Sequence, residues 1–218
     1  MLEWSYAPPM AVHLQSSLFD QEDEVSTRPL RGIQRTDLGH GAWIDVLPQW
    51  LRGADTLFAS LVRDVGWRAE QRVMYERVVA VPRLLAFFGR RDPLPHPALE
   101  AARTELSRHY AAELGEPFTT AGLCLYRDGR DGVAWHGDTV GRGGTENTMV
   151  AILSLGAPRH LALRPREPGP APVRRRLGHG DLIVMGGSCQ RTWEHAVPKS
   201  ARVTGARVSV QFRPDGVR

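Results

Sequence analysis

The 218-residue chain has a single lysine, Lys199, so all but one of its 28 lysine and arginine side chains are arginine. Arginine carries a planar fork of donors suited to carboxylate and phosphate, although a compositional bias toward Arg, Ala, Gly and Pro explains the excess equally well. Cysteine is also scarce: Cys124 and Cys189 are the only two, form no CxxC pair and suggest no disulfide framework. Long apolar runs are missing. The best candidate, residues 78–88, is broken by Pro82 and Arg83, well short of the roughly 20 apolar residues of a membrane span. Residues 1–6 carry Glu3 where a secretory signal needs a basic group, and no apolar run follows. These absences lead us to expect a reduced, cytoplasmic setting and no membrane. What is present is ordinary for a globular protein, with 24% charged and 42% hydrophobic residues, and the length suits one domain with decoration.

Residues 1–35 mix prolines with an acidic run (Asp20, Glu22, Asp23, Glu24) and read as an arm, with residues 14–19 as a short anchor. From 36 to 67 the pattern turns helical: Ala54, Leu57, Phe58, Leu61, Val62 and Val65 recur at intervals of three and four. Residues 74–89 read as a strand pair with Pro82 at an edge or bend. A second helix is expected over 97–114, with Leu99, Ala102, Leu106 and Tyr110 on one face and Gly115 as its stop. After Phe118 short apolar runs alternate with Gly, Asp and Pro at 122–126, 133–136, 148–155, 160–163, 182–185 and 203–212, a spacing typical of an antiparallel sandwich or barrel. Residues 159–176 hold Arg159, His160, Arg164, Arg166, Arg174, Arg175 and Arg176 against one acid, Glu167. That stretch reads as a solvated hairpin loop, or as a phosphate contact.

The chemistry gathers around His136-Gly-Asp138. Two residues apart on an extended segment, an imidazole and a carboxylate leave the same strand face, and together they are two legs of a 2-His-1-carboxylate metal site. A second copy, His179-Gly-Asp181, is bracketed by Gly178 and Gly180 and reads as a tight turn. For the third leg the candidates are His160, His179 and His195, with His195 favoured because it lies just past the Gly186-Gly187 break. Along 207–213, Val208, Val210 and Phe212 share one strand face, whereas Arg207, Ser209, Gln211 and Arg213 share the other. An exposed edge strand would give that pattern. So would a strand whose arginines enter a barrel mouth and grip a small dianion by forked hydrogen bonds.

In this arrangement the sequence resembles the AlkB family of iron(II)/2-oxoglutarate-dependent dioxygenases. The matching stretches are 126–138, Leu153-Ser-Leu-Gly156, 180–187, Trp193-Glu-His195 and Arg207-Val-Ser-Val-Gln-Phe-Arg213, while Val81-Pro-Arg83 through Phe88-Gly89 looks like the substrate lid of the nucleic-acid-repair branch. The resemblance implies a mostly β fold with flanking helices: a double-stranded β-helix, or jelly roll, over 118–218, with an N-terminal helical and lid extension over 36–117. It implies Fe(II) on His136, Asp138 and His195, with O2 and the co-substrate 2-oxoglutarate; Arg207 and Tyr126 at the distal carboxylate; Arg213 near the chelating end; and Cys124 and Ser209 beside the co-substrate. Arg83, Trp135, Val140 and Arg159 would meet the substrate. The implied reaction is oxidative demethylation of alkylated bases, DNA ahead of RNA, by a monomer, with succinate, carbon dioxide and formaldehyde released. Cys124 and Ser209 replace asparagines that usually help hold 2-oxoglutarate, and Val140 replaces an acid that usually reads the base. A dioxygenase acting on a protein or small molecule, and a metal-binding jelly roll without turnover, are the rival readings.

Overall fold

The computed structural model describes residues 24–74 and 77–217. In chain order its elements are β1 (Ser26–Thr27), β2 (Gln34–Gly39), β3 (Ala42–Leu47), β4 (Leu51–Arg52), α1 (Ala54–Asp64), β5 (Arg68–Met74), β6 (Arg77–Phe88), α2 (Pro97–His109), α3 (Ala111–Leu114), β7 (Thr120–Tyr126), β8 (Val133–His136), β9 (Val150–Gly156), β10 (Arg159–Pro165), β11 (Val173–Leu177), β12 (Asp181–Gly187), α4 (Cys189–Thr192), β13 (Trp193–Val197) and β14 (Arg207–Arg213). An eight-stranded sheet of order β2-β3-β12-β9-β14-β7-β6-β5 faces a four-stranded sheet of order β11-β10-β13-β8. All their pairings are antiparallel, and the fold is a jelly roll carrying helices and a hairpin extension.

The alternation on β14 explains how the layers stack. Val208, Val210 and Phe212 join one core with Leu57, Phe58 and Leu61 of α1 and Leu99 and Leu106 of α2. A second core lies between the sheets, where Ile152, Leu163, Ile183 and Trp193 meet Tyr126. Arg207, Ser209 and Gln211 are buried as well, so β14 is a central strand and the edge-strand explanation of its polar face is excluded.

Several expectations need correction. The helical reading of 36–67 holds only for α1; Thr36 to Arg52 instead forms strands, with β2 and β3 joined across Gly39, His40 and Gly41, all at positive φ. Such a turn needs glycine or a residue tolerant of the left-handed region. The second helix breaks at Tyr110, whose buried hydroxyl donates to Asp45 at 3.0 Å, and Gly115 at φ 75° caps α3. The basic stretch 159–176 is largely sheet: β10 and β11 pair from Arg159↔Leu177 to Leu163↔Val173. Of the expected arm, 1–23 and the anchor at 14–19 lie outside the described residues, while Ser26–Thr27 pairs with Leu51–Arg52 and belongs to the fold.

The β5–β6 hairpin extends the large sheet beyond β7. The strand pair or strand-loop-strand expected over 74–89 is instead the single strand β6, paired with β5; β6 runs through Pro82, which sits where its register with β5 shifts, between Ala69↔Leu84 and Gln71↔Ala80, and before its ladder with β7 starts at Leu84↔Leu125. A residue without an N–H is tolerated at such an irregularity.

Candidate active site

His136 ends edge strand β8, and Asp138 follows in the bend beyond it. The antiparallel register of β13 sets His195 directly opposite His136, with the ring centroids 4.2 Å apart. One ligand atom from each of His136, Asp138 and His195 lies within 4.8 Å of the others, the one such His/Cys/Asp/Glu group among the described residues. His136 Nδ1 is 2.9 Å from Ala134 O. A carbonyl can only accept, so Nδ1 carries the proton and Nε2 is left with its lone pair.

Burial, with neighbouring His136 acting in the same direction and Asp138 against them, brings the His195 imidazole down to about 3; His195 is therefore neutral, the form a metal ligand needs. Burial raises the Asp138 carboxyl, but Arg213, His195 and His136 together outweigh it and hold the group below its ordinary value. Arg213 Nε and Nη2 lie 3.2 Å from Asp138 Oδ2. The Asp138 backbone N–H donates to Gln190 Oε1 at 3.0 Å. Gln190, buried in α4, was not among the expected site residues; it acts through a tertiary contact that no local motif announces. The glycine between the ligands is also required. A Cβ on Gly137 would fall 2.5 Å from Gln190 O and 2.7 Å from Arg166 Nη2.

The other histidines stand elsewhere. His160 is exposed on β10. His179 Nδ1 accepts from Gly156 N at 2.7 Å, and its Nε2 lies 3.2 Å from Asp55. The second His-Gly-Asp is thus a turn, with Gly180 at φ 79° and Asp181 accepting from Gly178 N and Gln49 N.

A cavity of about 970 Å³ opens from this triad between the sheets, with the β5–β6 hairpin contributing Arg68, Glu70, Arg83 and Phe87 to its wall. Its floor is the polar face of β14 together with Cys124 and Tyr126 of β7. Arg207 is 2% exposed; its Nε donates to Ser154 Oγ at 3.0 Å, while its Nη1 is buried with no hydrogen-bond partner among the described residues. A buried guanidinium N–H without an acceptor is costly unless a ligand supplies one, and a carboxylate is the matching shape. Burial raises the Tyr126 phenol, as does Cys124, against the pull of Arg207 and Arg83, so Tyr126 stays a hydroxyl donor. These residues suit a dianion that reaches from a metal at the triad to Arg207.

The expected substrate contacts divide. Arg83 and Val140 line the cavity, Val140 at its rim and 67% exposed. Trp135 is not on the cavity wall: it faces outward, 38% exposed, with the Arg164 guanidinium 4.4 Å from its ring centre. Arg159 also lies off the wall. It is 2% exposed and donates to the carbonyls of Asp128, Asp131 and Pro198, fastening loops behind Tyr126, whose ring centre is 5.5 Å from its guanidinium.

Residues 88–213 match the model of the 2OG-Fe(II) oxygenase superfamily. The chain is 30% identical over 213 residues to the bovine alpha-ketoglutarate-dependent dioxygenase alkB homolog 3, covering 87% of this chain and 69% of that protein. It is 28% identical over 218 residues to the Arabidopsis thaliana DNA oxidative demethylase ALKBH2, covering 81% and 68%. A solved 2OG-Fe(II) oxygenase-family oxidoreductase from Burkholderia pseudomallei superposes with a TM-score of 0.55 at 12% identity, over 80% of this chain and 87% of that one, a likeness of fold. With a jelly roll, a 2-His-1-carboxylate cluster and these relatives, the chain belongs to the AlkB family of dioxygenases that use Fe(II), 2-oxoglutarate and O2.

Proposed function

We propose that the protein oxidatively demethylates alkylated bases in nucleic acid, DNA ahead of RNA, working as a cytoplasmic monomer whose catalytic unit joins residues 36–218 to β1 and the start of β2. The observation that carries the reading is the joining, in one cavity beneath a hairpin lid, of the metal-ligand cluster and the unpartnered Arg207 Nη1. Two relatives support the choice of substrate by name, the Arabidopsis and human proteins called DNA oxidative demethylase ALKBH2.

In this reading His136, Asp138 and His195 hold the iron. Bound iron, with 2-oxoglutarate and O2, supplies the oxidising power that hydroxylates a methyl carbon, after which the adduct releases formaldehyde. Arg207 and Tyr126 fix the distal carboxylate of 2-oxoglutarate. Arg213 neutralises Asp138 and flanks the chelating end, and Gln190 holds the Asp138 backbone in place. A base must leave its stack to reach the triad, and exposed Phe87 and Val140 on the cavity wall offer it apolar surface.

The phosphate chain has a candidate path on the outer face of the small sheet, where exposed His160 pairs with Arg176 and Ala162 with Arg174. Replacing Arg174 and Arg176 together by alanine should weaken binding of single-stranded DNA at low salt. It should also flatten the dependence of log affinity on log salt by about 1.4, roughly 0.7 for each arginine on a single strand; an unaltered slope would remove this face from the binding surface.

The test of the function is a panel of methylated single-stranded DNA, double-stranded DNA, RNA and tRNA scored for formaldehyde. Methylated single-stranded DNA should release the most. Val140 at the rim favours a second reading, a dioxygenase acting on a protein or small molecule. Succinate release without formaldehyde from any nucleic acid would support that reading against ours.

A further inference from the structure

Between Arg207 and Arg213 the cavity floor is poor in strong donors, because the two side chains nearest its middle are the Ser209 hydroxyl and, opposite it on β7, the Cys124 thiol. A thiol is a weak donor. The third side chain there is Gln211, buried on the floor and directly opposite Gly122. Its Nε2 donates to Ser209 O at 3.1 Å and also to Ser209 Oγ. Its Oε1 accepts from Cys124 Sγ at 3.8 Å. The Ser209 carbonyl fixes this orientation, since a flipped amide would set two carbonyl oxygens against each other.

The direction of donation has a consequence for Ser209. Its oxygen receives the Gln211 N–H, so its own hydrogen is turned away from Gln211, toward the cavity that Ser209 lines. A short chain of hydrogen bonds therefore runs from Cys124 through Gln211 to Ser209, across the middle of the floor. The backbone makes room for it: a Cβ on Gly122 would come within 2.9 Å of Arg213 Nη1 and 3.1 Å of Gln211 Oε1, either of which would have to move.

We propose that Gln211 is a positioning residue for 2-oxoglutarate: its carboxamide takes up the Cys124 thiol hydrogen and occupies Ser209 Oγ as acceptor, so that the Ser209 hydroxyl hydrogen is left to the dianion between the two arginines. The proposal rests on 2-oxoglutarate being the co-substrate and is independent of which substrate is oxidised.

The test measures 2-oxoglutarate binding by calorimetry on Mn(II)-loaded protein, which does not turn over, beside KM and kcat of the iron form. Gln211→Leu should raise both Kd and KM for 2-oxoglutarate about tenfold, the worth of one hydrogen bond to a charged group, with kcat nearly unchanged. Gln211→Glu should raise them more, since a carboxylate on the floor repels the dianion. A purely structural glutamine would give Leu and Glu variants with equal Kd, or would lower kcat and melting temperature without moving Kd. Either result overturns the proposal. Should Gln211→Leu prove unstable, Gln211→Asn draws the same amide back by one methylene and must also raise Kd; a Kd equal to wild type in that variant overturns the proposal as well.

Discussion

His136→Ala is expected to abolish turnover and reduce iron affinity by well over 100-fold, while the protein stays folded. The magnitude follows from outer-sphere partners, whose loss alone costs about 10- to 100-fold in metal affinity; a ligand itself contributes more. The fold survives because His136 ends an edge strand and is only half-buried, outside both apolar cores. Asp138→Ala should be equally inactive but less stable. It removes the carboxylate that pairs with half-buried Arg213, and leaving such a group without its partner costs about 1–3 kcal/mol. Asp138→Asn separates the two effects by keeping the shape and losing the charge. His179→Ala is the contrasting case: it deprives Gly156 N of an acceptor, costing about 1–3 kcal/mol of stability, and leaves turnover nearly intact. Iron content and succinate release, measured beside a melting curve, distinguish the four variants. A fully active His136→Ala or an inactive but stable His179→Ala would show that the wrong His-Gly-Asp had been assigned to the metal.

The sequence exposed the site where the chemistry is local and concealed it where tertiary pairing decides. His136 and Asp138 share a strand end, and the polar face of β14 can be read by alternation, so both were legible. Ranking His195 above His160 depended on a weak positional hint; its true warrant is the His195↔His136 register, a contact spanning many residues that periodicity cannot compute. Gln190 is not legible because its amide acts on a backbone N–H through a tertiary contact, and Gln211 is legible only as part of the polar face, since its link to Cys124 crosses from β14 to β7. Arg159 shows the reverse error: its charge was visible but its partners, three buried carbonyls, were not. In the fold, β11 reads as loop because an edge strand with a solvated outer face keeps only Val173 and Leu177 apolar among five residues. β2 and β3 are hidden because the strong periodicity of α1 runs on, in the sequence, across the Gly39-His40-Gly41 turn.

Arg207→Met should nearly eliminate 2-oxoglutarate binding and at the same time leave the co-substrate-free protein no less stable, or more so. The two outcomes have one cause. The Arg207 guanidinium is buried and Nη1 lacks a partner among the described residues; burial disfavours its charge and Arg159 adds to that, outweighing the support of Tyr126 and Cys124. Without a carboxylate this cation is a burden, and replacing buried charge by an apolar side chain of similar length is often neutral or stabilising by about 1–4 kcal/mol. With 2-oxoglutarate bound, the same group becomes one half of a buried charge pair, whose truncation costs about 2–5 kcal/mol, or about 30- to 5,000-fold in Kd. Ligand linkage makes the contrast measurable: saturating 2-oxoglutarate should raise the melting temperature of Mn(II)-loaded wild type, because it binds only the folded form, and should leave that of Arg207→Met unmoved. A variant that melts lower than wild type in the absence of 2-oxoglutarate, yet is stabilised by it to the same extent, would mean that Arg207 holds the sheet and not the co-substrate.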